Sequence, residues 1–283
     1  MIVTTNGEKT AVQVNGTQYR WPKCPVVVVC IDGGDPAYIQ QGLQEGFIPN
    51  IARFMKRGFS VVADGTVPSF TCPNNMSIIT GTPASKHGIS GNFYLDTRTG
   101  EAVVMTGPEL LRGDTILARF AEAGAKVVSI TAKDKLRNQL GKNLDLPKGN
   151  VSFSSEKADQ CTLAENGIED VLEFVGNPLP HRYSAELSLF VLDAGIKILE
   201  RNRPDLMYLS LTDYIQHKYA PAEDEAAFQS WVIDYAKLRS WKVAHVNDSR
   251  KQNADGMPDL VLARNGLVIL AELKTETGEP RKE

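Results

Sequence analysis

The chain has 283 residues, 42% of them hydrophobic and 23% charged, with a formal net charge of −3. This composition excludes a disordered, collagen-like or coiled-coil chain, and the length admits two domains or one large one. Residues 1–221 hold 22 Lys/Arg against 23 Asp/Glu and residues 222–283 hold 9 against 11, so neither part has the basic excess of a nucleic-acid binder.

No apolar run reaches the length of a membrane span, and the first residues lack the charged-then-apolar order of a secretory signal. Cys24, Cys30, Cys72 and Cys161 show no C-x-x-C spacing. They read as free thiols in a reducing compartment, so the expected location is cytoplasmic.

In chain order, two polar-alternating runs flank Asn15-Gly16 and predict a hairpin. Val26 to Ile31 is a continuous β-branched run, which predicts a strand buried on both faces. It ends in Asp32-Gly33-Gly34-Asp35-Pro36, a polar turn of the kind that carries sites in open α/β sheets. Periodicity predicts a helix over 48–55 ending at Gly58, then a strand over 60–63. Helices follow over 115–123, 168–175 and 185–200, with strands over 126–130 and 206–211. Strand–helix alternation implies α/β architecture, a mainly parallel sheet with helices on both faces. After Pro221 the pattern changes to a helix over 225–238, a strand over 241–246, and a hairpin of 259–263 with 267–273. The expected division is therefore 1–221 and 222–283.

Two strand-end acids stand out, Asp32 and Asp213. In a parallel sheet both would lie at one edge. Asp213 and His217 are four apart and share a helical face, a plausible pair of ligands for zinc or a similar ion. Between them, Thr71 opens a helix with Pro73 in its first turn. A helix N-terminus favours an anion. Thr71 is placed either to attack phosphorus, its pKa lowered by a metal, or merely to cap the helix.

Ile31-Asp32-Gly33, Pro68-Ser-Phe-Thr71-Cys-Pro-Asn-Asn75, Ile79-Thr-Gly81, Lys86-His87-Gly88-Ile89 and Asp213-x-x-x-His217 together resemble the alkaline phosphatase superfamily over about 20–220. The resemblance lies on its nucleotide pyrophosphatase/phosphodiesterase side, and most nearly with the phosphonoacetate hydrolases. It implies two Zn2+ ions, one on Asp32 and Thr71, the other on Asp213 and His217. It also implies Thr71 as nucleophile, Asn92 as donor to a phosphonyl oxygen, and Lys133 and Lys135 on the carboxylate of a small phosphonate substrate. His87 reads as a loop or packing histidine. Sites of this kind carry further ligands downstream, an Asp-His dipeptide and a late histidine. The chain has no Asp-His dipeptide, and after His217 its one histidine is His245. Each zinc is thus expected to keep two protein ligands, below the three of catalytic zinc.

A second constellation joins Glu225, Gly256-Met-Pro-Asp259 and Ala271-Glu272-Leu-Lys274. Glu272 and Lys274 are two apart on a strand and point to one face. Two carboxylates and an ammonium meeting there suit Mg2+ or Mn2+ and activation of water against a phosphodiester. The order resembles a VRR-NUC module of the PD-(D/E)xK nucleases over about 223–283. That implies Glu225, Asp259 and Glu272 as metal-site acids, Lys274 as catalytic base partner, and DNA as a partner. The expectation is a fusion of two partial hydrolases: a phosphonate-cleaving site first, a nuclease second, with a catalytically impaired scaffold as the third alternative. No membrane partner is expected, and the sequence leaves an oligomer open.

Overall fold

A computed structural model describes residues 2–5, 8–218, 242–245, 260–264 and 267–271. The elements are β1 (Ile2–Thr5), β2 (Glu8–Val14), β3 (Thr17–Arg20), β4 (Val26–Cys30), α1 (Pro36–Gln44), α2 (Pro49–Arg57), α3 (Thr71–Thr80), α4 (Ala84–His87), β5 (Phe93–Asp96) and β6 (Glu101–Val104). They continue with α5 (Ile116–Glu122), β7 (Val127–Thr131), α6 (Asp134–Leu140), β8 (Val151–Ser154), α7 (Leu163–Asn166), α8 (Val171–Val175), α9 (Glu186–Asn202), β9 (Leu206–Ser210), α10 (Tyr214–Lys218), β10 (Lys242–His245), β11 (Leu260–Arg264) and β12 (Leu267–Ala271). The chain divides into two compact units, Met1–Asp32 with Ala63–Thr212, and Gly33–Val62 with Asp213–Glu283.

In the first unit, β1, β2 and β3 form an antiparallel sheet. Its second turn is the expected Asn15-Gly16, with φ of 48° and 88°, the double positive φ that a tight hairpin twist requires. The central sheet has the order β4-β9-β7-β8, all parallel. Its residues alternate between two cores. Met207 and Leu209 join Val128, Ile130, Phe153, Phe190 and Val191 on one face. Tyr208 joins Cys72, Met76, Ile79, Phe120 and Leu136 on the other. Helices α8 and α9 cover the first face and α3, α5 and α6 the second, which is why β7 is buried throughout.

Two expectations fail locally. Val27 and Val29 in β4 are 40% and 44% exposed, whereas Val28 and Cys30 pack on the α3 side. β4 is the outer strand of its sheet, so among the described residues the core claims one face of it. Residues 60–63 form no strand, and Val61 and Val62 are exposed. A β-branched run without a ladder partner has no structure to enter.

In the second unit, Gly33 has φ +69°, and a Cβ there would lie 2.5 Å from Gln216 Oε1. Helix α2 ends at Gly58, as the periodicity predicts. β10, β11 and β12 pair antiparallel, and Arg264 lies opposite Leu267 in the expected hairpin. The helix expected over 225–238 lies outside the described residues. No helix among the described residues is long and apolar enough to cross a membrane.

Candidate active site

Thr71 is the first residue of α3, after an extended Phe70 at the cap position. Its hydroxyl does not close the helix end. Thr71 Oγ1 donates to Asp32 Oδ2 at 2.9 Å, and Asp32 follows the C-terminal end of β4. The next backbone N–H, that of Cys72, donates to Asn92 Oδ1 at 3.0 Å. This turns the Asn92 amide so that its donor, Nδ2, faces away from the peptide. Hydroxyl, carboxylate and carboxamide thus meet at one helix tip, where the backbone dipole favours negative charge.

Behind them lies a buried polar relay that sequence reasoning missed. Asn75, 1% exposed, donates from Nδ2 to Thr71 O at 2.9 Å. Its Oδ1 accepts from Tyr208 Oη at 2.9 Å and from Ser210 Oγ at 3.4 Å. The first turn of α3 is therefore bolted to β9. The available signal was spacing: Asn75 is one helical turn past Thr71 on the face that carries Met76 and Ile79 into the core. Burial pushes the Tyr208 phenol and the Cys30 thiol up, keeping both protonated. Burial also raises the Cys72 thiol. The Lys135 ammonium opposes that shift and the Asp32 carboxylate adds to it, so both charges lie within electrostatic reach of the α3 tip.

Lys133 and Lys135 flank the start of α6, just past the end of β7. Both line a cleft of about 620 Å³ together with Thr106 and Asn138. Cys72 Sγ and Gln139 Nε2 both donate to Met105 O, joining α3 and α6 through the segment that runs into this cleft. His87 is buried. Its Nδ1 accepts from Ile89 N at 3.1 Å and its Nε2 lies 3.0 Å from Ser77 Oγ, so its neutral ring is a packing element of the α3–α4 corner.

Asp213 and His217 belong to the second unit. His217 Nε2 lies 3.1 Å from Asp213 Oδ2, the geometry that four-residue spacing on α10 allows. Glu225, Asp259, Glu272 and Lys274 lie outside the described residues.

The donors present fit a zinc-type cation in kind. Thr71 with Asp32, and Asp213 with His217, are each a pair of oxygen or nitrogen atoms already within hydrogen-bond distance. Among the described residues no group of three or more His, Cys, Asp or Glu gathers into a metal site.

Two solved structures of phosphonoacetate hydrolase from Sinorhizobium meliloti 1021, one with phosphonoformate and one with phosphonoacetate, resemble this fold with TM-scores of 0.74 and 0.73. Each is 43% identical and covers 86% of this chain, which spans 62% of theirs. An uncharacterized pyrophosphatase/phosphodiesterase of Schizosaccharomyces pombe is 34% identical over 91 residues, 32% of this chain and 18% of that protein. Residues 26–270 match the type I phosphodiesterase / nucleotide pyrophosphatase family, a match that runs through β4, the Thr71 helix, β9 and on into β12. The chain belongs to the type I phosphodiesterase / nucleotide pyrophosphatase family.

Proposed function

We propose that the chain hydrolyses the carbon–phosphorus bond of phosphonoacetate, with Thr71 as nucleophile. The observation that carries this reading is the Thr71 hydroxyl, seated on a helix tip and hydrogen-bonded to Asp32 at 2.9 Å. The 43% identity to a protein solved with phosphonoacetate supports the choice of substrate.

The phosphonate sits at the N-terminus of α3, with Asn92 Nδ2 donating to a phosphonyl oxygen. Lys133 and Lys135 take the carboxylate from the neighbouring cleft. The Thr71 proton is held at Asp32 Oδ2. Thr71 Oγ1 forms a bond to phosphorus as the phosphorus–carbon bond breaks, and the leaving carbon keeps the electron pair. The α-carboxylate delocalises that pair as an enolate, whose charge the two lysines neutralise. The proton taken by Asp32, relayed through solvent, goes to that carbon and gives acetate; water then attacks the phosphothreonine, releasing phosphate and restoring the Thr71 hydroxyl. Asp32 with Thr71, and Asp213 with His217, are the donors that would hold zinc-type cations. When bound, these supply Lewis acidity, which lowers the pKa of a hydroxyl and neutralises phosphoryl charge.

The test is phosphate release from phosphonoacetate by the zinc-supplemented chain. Thr71→Ala is expected to reduce it by about a thousandfold or more. A Thr71→Ala variant that keeps its rate overturns the nucleophile assignment.

A further inference from the structure

The cleft lined by Lys133 and Lys135 contains more charge than one carboxylate needs. Besides Lys133 and Lys135 it is lined by Lys157, Arg182, Asp134 and Glu156. The two acids are engaged. Asp134 pairs with Lys157 at 2.8 Å and Arg137 at 3.2 Å and accepts from Ser154 Oγ at 2.8 Å. Burial raises its carboxyl, but these partners outweigh that and hold it below the ordinary carboxylate range. Lys157 is thereby taken up internally.

Glu156 has a different part. Its Oε1 lies 2.6 Å from Arg182 Nε, and its Oε2 accepts the backbone N–H of Asp134 at 2.8 Å. Asp134 is the residue between Lys133 and Lys135. One carboxylate therefore ties the Arg182 guanidinium to the same turn that presents the two lysines. The Arg182 side chain is otherwise 62% exposed, and its loop is braced by Ser184 Oγ donating to His181 O at 2.7 Å. With Nε on Glu156, the terminal amino groups of the planar fork remain to meet an anion in the cleft. Lysines give charge with little directional demand, whereas an oriented fork reads a planar carboxylate.

We propose that Arg182, oriented by Glu156, is a specificity-determining residue that selects phosphonates bearing a carboxylate over those that lack one. This rests on the reading of the Thr71 site as a phosphonate site.

Isothermal titration with phosphonoacetate and with methylphosphonate, on the zinc-supplemented parent and on Arg182→Gln, Arg182→Lys and Glu156→Gln, tests it. Arg182→Gln is expected to weaken phosphonoacetate about tenfold and to leave methylphosphonate unchanged, in line with loss of a charge-assisted hydrogen bond. Arg182→Lys should not restore binding, and Glu156→Gln should give part of the loss. Equal binding of phosphonoacetate by parent and Arg182→Gln, equal weakening of both probes, or full rescue by lysine overturns the proposal. Arg182-dependent binding in a parent that releases no phosphate leaves the cleft assignment standing and overturns the Thr71 chemistry. A parent that binds neither phosphonate overturns both.

Discussion

Asn75 makes the position of Thr71 a property of the core. Removing its side chain leaves the Tyr208 hydroxyl buried without its acceptor and frees the first turn of α3. Asn75→Ala should cost about 2 kcal/mol in urea denaturation and lower phosphate release more than Thr71→Ser does. Tyr208→Phe removes the neutral hydrogen bond to Asn75 and the contact with the Cys30 thiol, and should cost about 1 kcal/mol. His87 predicts a pH dependence. Burial lowers its pKa below 6.5, so the unfolded chain takes up a proton before the folded one does. Its stabilisation is complete above about pH 6.5 and is lost as pH falls through the lowered folded value. Chemical denaturation between pH 7.5 and 5 should show this decline, and His87→Gln should flatten it. Thr71, Asp32 and Asn92 were legible as candidates from motif order, and their hydrogen bonds gather them at one helix tip. Asn75 was not, because its spacing from Thr71 marks a shared helix face but does not reveal Tyr208 and Ser210, partners that are distant in sequence.

Among the elements, α5 shows how far local chemistry reaches. Thr115, 1% exposed, accepts the Ala118 N–H at 3.0 Å and starts the helix where periodicity and capping both place it. Thr115→Ala should cost about 1 kcal/mol, measured as a lower denaturation midpoint at unchanged slope. Residues 60–63 mark the opposite case. Their β-branched composition suits a strand, but pairing is a long-range fact that composition does not contain. β4 shows the same limit in another form: its continuous valines signal apolarity, not how many faces are covered. Asn-Gly, by contrast, dictates its own backbone, and the β2–β3 hairpin follows.

For the whole molecule, strand–helix alternation made the parallel α/β class legible, while the order β4-β9-β7-β8 was beyond any local pattern. The two cores on either face of that sheet are built from apolar side chains. Chelation is therefore expected to abolish phosphate release while leaving far-UV circular dichroism of the sheet and helices unchanged. β9 lies between β4 and β7 although it comes last of the four in the chain. During synthesis β7 and β8 can join soon after they emerge, but Val26–Cys30 must wait for Leu206–Ser210. The strand that delivers Asp32 to Thr71 is thus unpaired until the last of the four is made, and nascent chains that end before Leu206 should leave Val26–Cys30 open to protease.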